Sequence, residues 1–259
     1  VFGGAKGMFA LASGSVDIDL GAGPEFASIA KGKAGDSTLA VALAQVTDKP
    51  SLIVAVVNPD GPKTLAGLRG KSLGVSTAAS LTDWLVHELS RRQGWGATGI
   101  RSVALGAEDG LLAALRTRQI DGALVDLGTG YRLEAAGRAR ILVRFGETTP
   151  DVILHVIYAR RDFVAKNPAV VRAFLKGWME TVQYMKTHKP ETVAIAAAHL
   201  HLDSAIASRV YDELMPAFST TGKFAPAGLK ALARSFVDFG TFPKEIDLTP
   251  YYRTDLLPQ

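Results

Sequence analysis

Cysteine is absent from all 259 positions. That excludes disulfide scaffolds, cysteine nucleophiles, iron–sulfur clusters and thiolate zinc sites together. Long apolar runs are missing too. Unbroken stretches such as residues 52–57 fall far short of the roughly 18 apolar residues a membrane-spanning helix requires. Neither charge sign dominates: 29 Lys and Arg against 25 Asp and Glu leave a net charge of +4. The basic residues are scattered, with only short pairs at Arg91-Arg92 and Arg160-Arg161, and aromatics make up 8% of the chain. A nucleic-acid-binding face would gather Lys and Arg in one stripe with aromatics between them, so no nucleic-acid partner is expected. What remains is ordinary globular composition, 47% hydrophobic and 21% charged with mean hydropathy +0.15. That excludes wholesale disorder. The length suits one large domain or two lobes, at roughly 100–200 residues per domain.

The pattern alternates helix and strand. Met8, Leu11 and Ala12 make a helical face within residues 5–13, and Gly14 stops it. Val16, Ile18 and Leu20 alternate with Asp17 and Asp19 as a short strand. A loop at 21–24 leads to a helix at 26–31, and residues 38–44 and 52–57 are apolar strand candidates. Further strands are predicted at 73–75, 101–105, 120–125, 141–145 and 152–158. Helices are predicted at about 81–92, 111–117 and 131–136. Ser80-Leu81-Thr82-Asp83 resembles a capping box, and Asn167-Pro168 is a helix start that opens a mostly helical stretch to about 214. A loop at 219–225 precedes a helix at 226–239. This alternation predicts an α/β fold with mainly parallel sheets, and the apolar runs near 50–57 and 151–158 read as paired crossovers between two lobes.

An internal repeat supports two lobes. Ala10-Leu11-Ala12-Ser13-Gly14-Ser15-Val16-Asp17 and Ala114-Leu115-Arg116-Thr117-Arg118-Gln119-Ile120-Asp121 share the spacing from Leu to Asp. Each is a helix end, a turn and a β-branched residue with Asp, followed by an apolar strand and a glycine-rich loop.

Several motifs fail on context. Gly94-Trp95-Gly96-Ala97-Thr98-Gly99 is a literal GxGxxG, but it follows a helix and precedes a strand, so it reads as a helix-terminal turn and not a dinucleotide site. Gly70-Lys71-Ser72 lacks the earlier glycine of a P-loop, since Leu65 stands there. Gly74-Val75-Ser76-Thr77-Ala78 is similar to a nucleophile elbow, with Asp126 and His155 downstream in hydrolase order. The elbow's second glycine is missing, and the competing reading is a strand-end serine that binds something. His199 and His201 point to different helix faces, so no metal is expected, and no cofactor.

The informative loops follow strands and open helices: residues 76–80, 106–109 and 126–130, with Gly3-Gly4 and residues 22–25 in the other half. Ligands of open α/β sheets sit outside the carboxyl ends of strands, where helix N-termini favour anions and small residues admit a ligand to the backbone.

These stretches carry a resemblance. Phe2-Gly3-Gly4-Ala5-Lys6 with Gly14-Ser15-Val16-Asp17, the segment from Leu65 through Gly70-Lys71-Ser72-Leu73-Gly74-Val75-Ser76, and Ser80 are three of its parts. Ala113-Ala114-Leu115 with Ile120-Asp121-Gly122-Ala123, and Asp162-Phe163 with Asn167-Pro168-Ala169-Val170-Val171, are the others. In order and spacing the chain resembles periplasmic substrate-binding proteins of ABC transporters, in the nitrate/sulfonate/taurine group that also includes thiamine-pyrimidine-precursor binders.

The resemblance implies a two-lobed periplasmic binding protein type II fold, with two mixed sheets flanked by helices. Residues 1–50 and 156–259 would form lobe 1, residues 58–148 lobe 2, and 51–57 and 149–155 the two crossover hinges. The family's signal peptide, first strand and first helix have no counterpart here: either they exist ahead of Val1 or the first lobe is incomplete, and the start at Val1 implies that a targeting segment was removed or that the chain is a fragment. The implied activity is binding without catalysis: a small, anionic ligand (sulfonate, nitrate or organic acid) is held in an interlobe cleft and delivered by an exported monomer to a membrane permease. Ser76, Thr77, Ser80 and Thr129 would donate hydrogen bonds, while Gly3, Gly4, Ala22 and Gly23 would offer backbone. Glu25 and Asp126 fit an amine or cationic heterocycle such as a thiamine precursor, unless both cap helices from the rim. Ala78-Ala79, Gly128 and Gly23-Pro24-Glu25 depart from the family's usual residues in these loops, which leaves the ligand open. Rival readings on the same fold are a small-molecule enzyme, whose thiamine-pyrimidine synthase form needs cysteines this chain lacks, and a LysR-type effector domain, whose helix-turn-helix is not present.

Overall fold

A computed structural model describes the chain except for residues 1–3, 33–38, 48, 79, 150–152 and 259, and except for the side chains of residues 4–6. The chain divides into two compact units. Unit 1 comprises residues 1–49, 151–184 and 218–259, and unit 2 comprises residues 50–150 and 185–217.

Unit 1 is built on a three-stranded sheet of β1 (Ile18–Ala22), β2 (Ala40–Gln45) and β8 (His155–Arg160), in the order β1-β8-β2. All six residues of β2 are buried, as are Val156 through Ala159 of β8. Such continuous apolar runs are the mark of strands covered on both faces. One face packs Val156 and Tyr158 against Met8 and Leu11 of α1 (Gly4–Ala12), Phe26 and Ile29 of α2 (Phe26–Lys31), and Leu232 and Phe236 of α11 (Pro226–Asp238). The other packs Ile157 and Ala159 against Val164 of α7 (Arg161–Lys166) and Val171, Leu175 and Met179 of α8 (Pro168–Thr187).

Unit 2 holds a five-stranded sheet in the order β5-β4-β6-β3-β7. Its strands are β3 (Ile53–Val57), β4 (Ser72–Val75), β5 (Arg101–Ala104), β6 (Gly122–Asp126) and β7 (Arg140–Arg144). Around it lie α3 (Leu81–Arg92), α4 (Glu108–Arg116), α5 (Leu127–Ala135), the short α6 (Phe145–Thr148), α9 (Lys189–Leu200) and α10 (Ser204–Leu214). The repeat seen in the sequence is α1–turn–β1 in unit 1 and α4–turn–β6 in unit 2.

The expectation of mainly parallel sheets is corrected. β4 runs parallel to β5 and β6, but β3 is antiparallel to both β6 and β7. In unit 1 both pairings of β8 are antiparallel. The two apolar runs read as crossovers are thus strands themselves, each lying between two others and reversed relative to them. Apolar composition reports burial and carries no information on strand direction. For the same reason residues 53–57, read as a hinge, lie inside the unit 2 sheet.

Residues 185–217 also move from the expected lobe to unit 2. The cause is α10. Val210 enters the core of unit 2 with Val54, Val125 and Tyr131. Arg209 stacks its guanidinium 3.7 Å from the centre of the Tyr131 ring. Arg144 on β7 donates to Glu213 at 2.7 Å and to the Tyr131 hydroxyl at 3.1 Å.

α3 carries the opening of the site loop described below, and its far end is pinned by polar contacts. Glu88 is buried and accepts from Arg91 at 2.7 and 2.8 Å and from Arg92 at 2.6 Å. The Gly94–Gly99 motif is the turn that follows, with Gly94 and Gly96 in the left-handed region at φ 72° and 73°. His87 donates from Nδ1 to the Ala97 carbonyl at 2.6 Å and faces Asp83 at 3.3 Å, while Asp83 also accepts from Ser102. The Asp83 carboxylate holds the His87 pKa above its ordinary value, with the Ala97 carbonyl adding to this against the opposing effect of burial. A raised histidine stabilises fully below its unfolded pKa of roughly 6.5 and loses that contribution as pH rises through the higher folded value. His87→Gln is therefore expected to widen its stability deficit at pH 5.5 relative to pH 8.5, read as the urea midpoint of each protein at both pH values.

Candidate ligand-binding site

Parallel pairing places the carboxyl ends of β4, β5 and β6 at one end of the unit 2 sheet. After β4 the chain turns through Ser76 and Thr77 into α3. Ser80 is the N-cap, accepting from the Asp83 amide at 3.3 Å. Ser76 donates its hydroxyl to Ser80 at 3.1 Å, and both lie within 3.0–3.1 Å of the Thr82 hydroxyl. The Ser76 amide also donates to Thr82 at 3.1 Å. Three hydroxyls thus form a half-buried triangle at a helix N-terminus, with Thr77 exposed beside it. Thr82 was not singled out in the sequence; its position two residues inside the cap was the available signal.

At the end of β6, Asp126 is an exposed N-cap of α5, accepting from the Thr129 amide at 2.9 Å. Residues 127–130, read as loop, are the first turn of this helix. Gly130 allows it to approach the sheet, because a Cβ there would lie 2.7 Å from Val54 Cγ2. Thr129 is buried, and its hydroxyl donates to Glu108 at 2.9 Å and accepts from Arg132 at 2.8 Å. The hydroxyl expected to face a ligand is spent on a neighbour. Burial raises the Glu108 pKa, the adjacent Asp126 carboxyl raises it further, and Thr129 and Arg132 partly offset both. Glu108 lies in the loop 106–109 named from the sequence but was not singled out there, and Arg132 was missed because it stands inside α5 and not in a turn.

In unit 1, antiparallel pairing with β8 brings the carboxyl ends of β1 and β2 together beside the start of β8. The Gly23 amide donates to Leu154 at 3.1 Å, and the Val46 amide to His155 at 2.9 Å. Gly23, Pro24 and Glu25 form a single 3₁₀ turn after Ala22. Glu25 occupies the N-cap position of α2 without capping it. It is 7% exposed, and neither carboxyl oxygen makes a hydrogen bond. Burial pushes its pKa up to about 7; the nearby Asp19 charge adds to this and the Ala22 backbone opposes it. Thr47, beyond the end of β2, has a buried hydroxyl that also lacks a partner. Gly4 opens α1, and Gly3 lies outside the described residues.

The hydrogen bonds of Ser76 and Asp126 are not those of a hydrolase triad. Ser76 bonds to hydroxyls, and Asp126 caps α5. His155 belongs to unit 1, where burial drives its pKa down to about 4 and keeps the imidazole neutral at neutral pH. Among the described residues no three His, Asp or Glu side chains gather as a metal ion would require, and no helix is long and apolar enough to cross a membrane.

Two α/β units whose sheets each hold a reversed strand between two others, with loops of small and polar residues at the strand ends, make the fold of periplasmic binding proteins. A Candida albicans gene product described as having that generic fold aligns with TM-score 0.81 at 16% identity, over 99% of this chain and 85% of that one. The alkanesulfonate-binding protein SsuA of Xanthomonas axonopodis pv. citri, solved with MOPS, aligns with TM-score 0.80 at 17% identity, over 97% and 85%. The desulfurization enzyme DSZB shares the fold at TM-score 0.64 and 14% identity, over 93% and 84%. A search of curated proteins finds no significant sequence match. The chain belongs to the NMT1/THI5-like family, which it matches over residues 9–192. The family resemblance drawn from the sequence is upheld by that match.

Proposed function

We infer that the protein is the exported solute-binding component of an ABC importer, which captures a small anion such as a sulfonate, nitrate or organic acid and presents it to a membrane permease. The observation that carries this reading is the hydroxyl triangle of Ser76, Ser80 and Thr82 at the N-terminus of α3. Negative oxygens accept hydrogen bonds from such hydroxyls, and the partial positive charge of a helix N-terminus favours them further. Thr77, Ala22, Gly23 and Gly4 stand at the corresponding strand and helix ends and join the candidate set. Family membership and the alkanesulfonate-binding neighbour support the reading. The role read here is binding: among the described residues Ser76 has hydroxyl partners and no base that would activate it as a nucleophile.

A second reading, a cationic or neutral heterocycle as ligand, is favoured by Glu25. Asp126 counts for it less, because its carboxylate is engaged as a cap.

Isothermal titration with ethanesulfonate, taurine, nitrate, acetate and succinate tests the first reading. Ser76→Ala is expected to weaken whichever anion binds by about 10–100-fold, the loss of one hydrogen bond to a charged group at roughly 1.5–3 kcal/mol. Mass spectrometry of the recovered ligand should find it chemically unchanged. A protein that takes up none of these anions and releases no small molecule on denaturation would overturn the reading.

A further inference from the structure

A carboxylate withdrawn from water is tolerated where a cation or several donors replace its hydration. Glu25 has neither. Both its oxygens are buried and unbonded, and it does not cap the helix whose N-cap position it holds. The charge that acts on it comes from another acid, Asp19, whose own pKa is raised by burial. Neither acid takes part in an ion pair among the described residues. The remaining ionisable group of this cluster, Tyr158 of β8, is wholly buried and donates its hydroxyl to the Ala22 carbonyl at 2.8 Å.

The two acids are seated in space that glycine leaves. A Cβ at Gly7 of α1 would lie 2.1 Å from Asp19 Oδ2, and one at Gly21 of β1 would lie 2.1 Å from Glu25 Oε2 and 2.9 Å from the Tyr158 ring. The position is the carboxyl end of β1, where the fold places its ligand loops. At the repeat position of Glu25, unit 2 has Thr129, a buried hydroxyl bonded to Glu108, and the acid of that turn, Asp126, is an exposed cap with its hydrogen bond made, so the fold does not demand a buried acid at this turn. A native structure leaves few buried polar groups unsatisfied, and one at a candidate ligand loop is explained when something outside the chain completes it.

Resting on the solute-binding reading above, we propose that Glu25, with Asp19 beside it, forms a subsite of unit 1 for a donating nitrogen of the solute: an ammonium, an amidinium or an amino-heterocycle. The nitrogen supplies the donors that the carboxylate lacks, and any proton on Glu25 leaves to solvent as the cation arrives. Glu25 acts here as a specificity-determining residue, selecting solutes with such a nitrogen over those without.

The test compares wild type with Glu25→Gln, which keeps the shape and removes the charge. An acid with a raised folded pKa costs stability as pH climbs from its ordinary value of roughly 4.5 through about 7, whereas glutamine does not titrate. The variant is expected to melt about 5 °C or more above wild type at pH 8, and to match it at pH 5. A variant that melts below wild type at pH 8 would mean that Glu25 has a structural partner, and would overturn the proposal. Titration calorimetry then uses matched probes: taurine with ethanesulfonate, β-alanine with propionate, and 4-aminopyrimidine with pyrimidine. Wild type is expected to favour the nitrogen-bearing member of at least one pair by about 10-fold or more, and Glu25→Gln to abolish that preference while leaving the other member's affinity unchanged. Equal binding within every pair that binds rejects this subsite and leaves the solute-binding reading standing. No binding by any probe, with no small molecule released from the native protein, rejects the solute-binding reading and the subsite with it.

Discussion

Tyr131→Ala should cost unit 2 about 3–5 kcal/mol of stability, the range for removing a buried aromatic side chain. Tyr131 is 2% exposed and lies in the core with Val54, Val125, Leu127 and Val210. Its ring carries the Arg209 guanidinium at 3.7 Å and the Arg144 guanidinium at 5.4 Å, and its hydroxyl accepts from Arg144. Truncation therefore removes the core filling, two cation–π contacts and the anchor of α10 in one change. Arg144 keeps its bond to Glu213 and Arg209 its ion pair with Glu134 at 3.9 Å, so α10 retains polar ties but loses its apolar anchor. Tyr131→Phe separates these contributions: it deletes only the hydroxyl and is expected to cost about 1 kcal/mol. Urea unfolding curves of the two variants and wild type measure both. A Tyr131→Ala deficit no larger than that of Tyr131→Phe would show that the ring does not hold α10.

Gly23→Ala should be nearly as damaging, about 3 kcal/mol, for a different reason. A Cβ on Gly23 would lie 2.1 Å from the Ile153 carbonyl oxygen and 3.1 Å from its carbon. Those are backbone atoms leading into β8, and the Gly23 amide is itself bonded to Leu154. Relief requires shifting the central strand of unit 1, and overpacking that moves backbone falls at the upper end of its usual cost of roughly 1–3 kcal/mol. The control is Gly177→Ala in the exposed part of α8, where a Cβ meets nothing within 4 Å. There the exchange should stabilise by about 0.5–1 kcal/mol through helix propensity. Thermal melts of both variants check the pair; a harmless Gly23→Ala would mean that the turn is loose.

Local features were legible in the chain. The helices at 26–31 and 81–92 could be read to the residue, because Gly32 at φ 62° ends one and Ser80 caps the other. α5 was read four residues short because Gly128 and Gly130 are poor helix formers, and the cap that starts it there is a single aspartate. Properties that depend on residues far apart in sequence were hidden. The direction of β3 and β8, and the pull of α10 toward Tyr131, are set by partners tens of residues away. Glu25 and Asp126 look alike in sequence, as acids in glycine-containing turns after strands. Only packing separates them, Asp126 capping a helix in solvent and Glu25 enclosed, its carboxyl oxygens making no hydrogen bond among the described residues. The engagement of Thr129 with Glu108 was hidden for the same reason, since the two stand 21 residues apart.

The order of strands in unit 1 has a temporal meaning. β1 and β2 do not pair with each other; the strand that joins them is β8, which begins at residue 155. During synthesis at roughly 5–20 residues per second, the first 49 residues of unit 1 are complete several seconds before the strand that joins them emerges. The core of unit 2 between residues 50 and 150 has all five of its strands by then. Unit 2 can therefore close first, while β1 and β2 wait as unpaired edges for a contact more than a hundred residues away, the kind of long-range closure that folds slowly. Unit 1 is thus committed only when β8 emerges, and a truncation between residues 46 and 154 would leave it with two strands and no sheet.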